Sequence, residues 1–163
     1  MSQDGPGVDL PTSIGYLLKE TATALRTAME AVLRPLGMTV THYSCLELLA
    51  QRPGSSNSEL ARGTFVTRQS MNVLLQTLER NGVVTRPSAA RSGRVMPAQL
   101  TERGRRDLAI ATAAVRAVED RMLADLDQDD RAAARRLLQR MVRSLRSADR
   151  TPGASGSQDD DAG

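Results

Sequence analysis

Aromatic residues are nearly missing from this chain of 163 residues, which holds two Tyr, one Phe and no Trp. The stacking ladders that bind single-stranded nucleic acid on a sheet or small barrel cannot be assembled from so few rings. One cysteine, Cys45, excludes an intrachain disulfide. Together with a single histidine, His42, it leaves too few ligands for a closed zinc site, so neither metal nor cofactor is expected. No run approaches the ~20 apolar residues that span a bilayer, and Met1-Ser2-Gln3-Asp4-Gly5 has neither the basic start nor the apolar stretch of a signal peptide. A reducing cytoplasm, with no membrane partner, is the expected location. An enzyme is not expected either. The chain has no nucleophile-base arrangement and no phosphate-cradling glycine loop, and one histidine supplies little general-base chemistry near neutral pH.

What the chain does have is arginine, 21 of them against one lysine. The formal net charge is only +3, because both ends are acidic. From Leu10 to Ser147, 21 Arg and Lys stand against 13 Asp and Glu, a net +8. Between Arg52 and Arg106, 10 Arg face 3 Glu, a net +7. Cationic charge gathered in one third of a chain predicts a phosphate-bearing partner, most simply nucleic acid; the alternative is a coding bias toward arginine.

Residues 1–9 and 148–163 are rich in Gly, Ser, Pro and Asp and carry no hydrophobic period, so both read as disordered tails, the second ending in a solvating Asp159-Asp160-Asp161 run. Residues 10–147 read as one domain of helical period. Ile14, Leu17, Leu18, Leu25, Met29, Val32 and Leu33 line one side of a long helix stopped by Pro35-Leu36-Gly37. Thr39 caps a second helix, and Ser56-Asn57-Ser58-Glu59 has the form of a capping box opening a third, short one. Thr67 caps a fourth, with Met71, Leu74, Leu75 and Leu78 inward and Gly82 as its left-handed stop. Two short helices joined by Gly63-Thr64-Phe65-Val66 make a helix-turn-helix. Val83-Val84-Thr85-Arg86 and Arg94 to Leu100 then read as a two-stranded hairpin with a basic tip, Pro97 marking the returning strand as an edge. Thr101 caps a long helix in which Leu108, Ala111, Val115, Val118 and Met122 recur at heptad spacing, and Asp127 starts a last helix striped by Ala134, Leu137, Leu138, Met141, Val142 and Leu145. These stripes exceed what a small lobe covers. The reading taken is a homodimer built from both termini, with an intramolecular bundle as the alternative.

The order helix, helix, helix-turn-helix, basic hairpin, long helix, helix resembles the MarR family of winged helix-turn-helix transcription regulators, from about Thr12 to Leu145. Met38-Thr39, Ser56-x-x-Glu59-Leu60-Ala61, Leu78-Glu79-x-x-Gly82-Val83-Val84-x-Arg86 and Leu100-Thr101-Glu102-x-Gly104 look like that family's pattern. One departure is Ser92-Gly93-Arg94, where the family often has Asp-x-Arg. The resemblance implies a mainly α fold with a small β-hairpin wing, dimerisation helices at about 12–34 and 102–147, and a winged helix-turn-helix at about 39–100. It also implies a homodimeric, ligand-responsive repressor on a pseudo-palindromic operator. The ligand would be a small phenolic or anionic effector bound where the dimerisation helices meet the DNA-binding lobe. Met29, His42, Tyr43 and Cys45 are the candidates for lining that crevice, with core packing as the alternative for each.

If Met71, Leu74 and Leu78 face the core, Gln69, Asn72, Val73 and Gln76 project away from it. Gln and Asn can bind adenine bidentately in the major groove and Val can meet a thymine methyl, so this stripe is the candidate base-reading surface of double-stranded DNA. Thr67, Arg68 and Ser70, at the amino end, suit phosphate. Arg91 and Arg94 at the hairpin tip suit a narrow minor groove. Arg86, Arg103, Arg105 and Arg106 are assigned to phosphate contacts or carboxylate pairs. Rival readings are a sequence-indifferent architectural DNA binder and a protein-binding winged-helix adaptor.

Overall fold

The computed structural model describes residues 7, 9–86 and 97–148. The tip arginines Arg91 and Arg94, and all but the inner ends of the two expected tails, lie outside the described residues. The chain divides into two compact units after Met122.

In the first unit, α1 spans Ile14–Leu33, opened by Ser13, whose Oγ accepts from the Tyr16 N–H at 3.3 Å. Pro35 sits in the short 3-10 turn Arg34–Leu36, and Gly37 at φ +70 closes it. Helix α2, Val40–Gln51, starts at Thr39 in a capping box: the Thr39 hydroxyl accepts from the His42 N–H at 3.1 Å, and His42 Nδ1 accepts from the Thr39 N–H at 3.5 Å. The same reciprocal satisfaction of orphan amides joins Ser56 and Glu59 at the start of α3, Asn57–Gly63. Helix α4, Arg68–Arg80, begins on Thr67 and ends before Gly82, which takes φ +70. Two-residue strands β1, Val84–Thr85, and β2, Gln99–Leu100, pair antiparallel with Val84 opposite Leu100. Helix α5, Glu102–Met122, completes this unit.

Leu33, Leu46, Leu60, Met71 and Leu75 are the largest fully buried side chains, drawn from four helices that converge on one core. Each stabilises the fold by about 1.5–3 kcal/mol through area removed from water. This core fixes α4 by its inner face only, which leaves the opposite face free.

Two expectations change. The heptad stripe of α5 is not an open seam, because Leu108, Ala111 and Val118 are buried within their own chain, where α1 packs along α5. Heptad spacing reports an apolar stripe and is silent on which helix covers it. The returning strand is also shorter than expected, since Pro97 and Ala98 precede the ladder rather than join it. A proline brings no N–H to a ladder, which favours starting the strand after it.

The second unit carries α6, Gln128–Ala148. Asp127 Oδ1 accepts from the Asp130 N–H at 2.8 Å, and the Arg131 guanidinium donates to the Leu123 and Leu126 carbonyls at 2.8 and 3.0 Å, tying the helix to its leading turn. Leu137, Leu138, Val142 and Leu145 are exposed on it. On α1, Ile14, Leu17 and Leu18 are likewise exposed, whereas Met29, Val32 and Leu33 join the core.

Candidate nucleic-acid interface

Gln69, Asn72, Val73 and Gln76 are all exposed, while Met71, Leu75 and Leu78 are buried, so α4 has a polar outer face set by a buried inner one. The expected amide stripe is thus assembled, with one qualification. Asn72 Oδ1 accepts a hydrogen bond from Asn57 Nδ2 of α3, so in this conformation one lone pair of the acceptor that bidentate pairing with adenine uses is already engaged. Gln69 and Gln76 make no such bond among the described residues.

At the amino end of α4 the Thr67 hydroxyl accepts from the Ser70 N–H at 3.0 Å and donates to Ser70 Oγ at 2.9 Å. Both hydroxyls therefore serve the cap. The groups at this end left to meet an anion are the exposed Arg68 and the leading N–H groups that no intrahelical carbonyl satisfies.

Among the described residues, three of the basic side chains around the hairpin have carboxylate partners. Arg86 forks onto Glu79, Nε donating to Oε1 at 2.8 Å, and this pairing holds the Glu79 carboxyl below its ordinary pKa. Arg103 pairs with Asp107 at 3.6 Å and Arg106 with Glu102 at 3.0 Å, both one helical turn apart on α5. Arg105 instead lines a crevice of about 790 Å³ bounded by α2, β2 and α5. Leu49, Ala50, Leu100, Leu108 and Ala109 form its apolar walls; Thr112, Arg105 and Arg116 supply polar groups.

Beside this crevice lies a hydrogen-bonded cluster. Glu47 Oε1 accepts from the Tyr43 hydroxyl at 3.0 Å and from the Thr112 hydroxyl at 2.7 Å, and Gln51 Nε2 donates to Oε2 at 2.9 Å. Burial alone would push the Glu47 pKa up. The three hydrogen bonds and the charge of Arg116 outweigh it, and the net direction is downward.

None of the four expected pocket residues lines this crevice. Met29 is half-buried against the core, and Cys45 is fully buried with its Sγ 3.8 Å from Met71 Sδ. Burial pushes the Cys45 thiol up to about 12, which keeps it protonated. Tyr43 is buried with its hydroxyl on Glu47, and burial raises its pKa. His42 lines a separate groove of about 410 Å³ with Leu36, Arg80 and Arg103. Sequence reasoning missed Arg105, Thr112 and Arg116 as crevice residues. Their i, i+7, i+11 spacing marks one side of α5, but only folding shows what faces it.

Two short helices with a capped second member, a polar outer face on that member, and an antiparallel strand pair leading into a long helix define a winged helix-turn-helix protein. The chain belongs to the MarR family: the family's model matches residues 36–95, and relatives aligned over most of the chain agree. It is 44% identical over 128 residues, 78% of this chain and 92% of the relative, to the HTH-type transcriptional repressor Rv2887 of Mycobacterium tuberculosis. It resembles the crystal structure of Rv2887 in complex with salicylic acid at a TM-score of 0.68 and 43% identity, covering 80% of this chain and 96% of that one. For Rv2887 in complex with DNA the TM-score is 0.66 at 39% identity, covering 80% and 98%. Family and relatives are named as transcriptional regulators, and the chain is a regulator of this kind, not an enzyme. Among the described residues no helix is long and apolar enough to cross a membrane.

Proposed function

We propose that this chain is a cytoplasmic, homodimeric repressor that holds a pseudo-palindromic operator through two copies of α4 and releases it when a small molecule binds. The observation that carries the reading is the exposed face of Gln69, Val73 and Gln76 on a helix whose other face is locked into the core. Bidentate Gln-adenine contacts and a Val-thymine methyl contact would favour A·T pairs in the operator. Arg68 and the free amides at the start of α4 contact phosphate, and Arg91 and Arg94 of the wing reach the minor groove.

Dimerisation is supported by the apolar side chains that stand exposed on α1 and on α6, which are costly to leave in water. A dimer sets the two α4 helices into successive major grooves about 34 Å apart. The effector site is the crevice between α2, β2 and α5, whose apolar walls and two guanidinium groups suit a small aromatic acid, the class to which the salicylic acid bound by Rv2887 belongs. Such a ligand acts through a different affinity for the two spacings of the recognition helices.

The test is a footprint of the full-length protein on the DNA upstream of its own coding sequence, with and without salicylate. Two protected half-sites one helical turn apart, lost on adding salicylate, are the expected result. A single uninterrupted footprint of no sequence preference would select the architectural alternative, and no salt-dependent binding would select the adaptor.

A further inference from the structure

Phe65 is the least covered of the three aromatic side chains, 88% exposed in the turn between α3 and α4. Its backbone stands at φ +59, and among the described residues it is the only non-glycine at positive φ. The hydrogen bonds explain the conformation. The Val66 N–H donates to the Ala61 carbonyl at 3.0 Å and the Phe65 N–H to the Arg62 carbonyl at 3.3 Å. This paired closure of a helix end places one residue in the left-handed region, where glycine fits without steric cost. The other left-handed positions among the described residues, at 37, 54 and 82, are all glycine.

At this position, then, the chain carries a bulky side chain that strains the backbone and leaves a phenyl ring 88% exposed, and no packing among the described residues offsets either cost. The location is specific. Phe65 precedes the α4 cap, Thr67, by two residues, which places their Cα atoms within about 8 Å. The amino-terminal end of the second helix is the part of a helix-turn-helix that enters the major groove, so a side chain on the turn just ahead meets the duplex at the groove's edge. Arg62 and Arg68, three residues to either side, are both exposed, and this cationic surround fits a polyanion better than an apolar protein surface.

We propose that Phe65 is a DNA contact, its ring covering an apolar group of the duplex, a deoxyribose or a thymine methyl, at the edge of the groove that α4 occupies. The inference rests on the DNA-binding reading above and adds an apolar anchor that the polar stripe and the arginines do not supply.

The experiment uses the full-length protein, a duplex recovered from random-sequence DNA by repeated selection on the wild type, and a scrambled duplex of equal length. Phe65→Gly removes the ring and the strain together, so its melting point without DNA should equal or exceed that of the wild type. Its affinity for the selected duplex should fall about tenfold. The slope of log affinity against log salt should not change, because a phenyl ring releases no counterion. Phe65→Tyr should retain most of the affinity. A loss confined to the selected duplex identifies the thymine methyl; an equal loss on the scrambled duplex identifies the sugar. Affinity within about twofold of wild type on both duplexes overturns the proposal, as does a melting point that falls together with the affinity. A wild type that selects no duplex removes the DNA-binding reading and this contact together, whereas a binding wild type and an equally binding variant remove this contact alone.

Discussion

Gly104 lies directly on the backbone of Val83: a Cβ added to it would fall 3.0 Å from the Val83 carbonyl carbon and closer still to its oxygen. That oxygen accepts from the Thr101 N–H at 3.1 Å, and the Thr101 hydroxyl donates to the Gly82 carbonyl at 2.8 Å while accepting from the Gly104 N–H at 3.0 Å. The start of α5 is thereby fastened to the residues that lead into β1. Because the obstacle is backbone rather than a flexible side chain, Gly104→Ala should cost about 2–4 kcal/mol in urea unfolding. A loss below about 0.5 kcal/mol would show that the two segments can separate freely.

The Glu79–Arg86 pair ties the end of α4 to the exit of β1. Its carboxylate has a lowered pKa through the Arg86 hydrogen bonds, so its stabilisation is present above the ordinary value of 4.5 and is lost as pH falls through the lower folded value. Glu79→Gln should remove that part of the acid sensitivity and cost about 0.5–1 kcal/mol at neutral pH. Urea unfolding as a function of pH measures both. An unchanged acid limb in the variant would place the sensitivity elsewhere.

His42 also costs stability as pH falls, but from a higher starting pH. Burial lowers its pKa below 6.5, with Glu30 acting against the shift. Above 6.5 both folded and unfolded forms are neutral and stability is unaffected. As pH falls below 6.5 the unfolded chain takes up the proton first, so stability declines until the folded pKa is reached. Protonation would also fill the Nδ1 lone pair that closes the α2 capping box. His42→Gln, which can keep the box without titrating near neutrality, should flatten the melting point between neutral and mildly acid pH. An equal slope in variant and wild type would contradict this assignment.

Cys45 should be chemically silent. With the thiol buried and its pKa near 12, a thiol-specific reagent should label the native protein only after denaturant is added, and peroxide should leave DNA binding intact. Rapid labelling of the native protein would show an accessible, reactive thiol instead.

Much of this architecture was legible because cap chemistry is local. Thr39, Ser56, Thr67 and Thr101 each bond an amide three residues on, a spacing visible in sequence, and Gly37 and Gly82 close turns that need φ > 0. The partner of a stripe was not legible in the same way. The apolar positions of α5 repeat every three or four residues whether α1 of the same chain or a second subunit covers them. Nor could sequence show that Thr112 reaches Glu47 across 65 residues, or that Asn57 occupies the acceptor of Asn72. The candidate surface on α4 was readable from its periodicity, while the crevice required three separate elements to be brought together. Phe65 escaped notice because nothing in its residue type predicts a left-handed backbone.

Base reading by the outer face of α4 is decided by Gln69→Ala. Binding of wild type and variant should be compared at fixed salt on a duplex selected by the wild type and on a scrambled one. A loss of about 1–3 kcal/mol on the selected duplex and little change on the scrambled one is expected. Equal losses on both duplexes, or none on either, would contradict base reading.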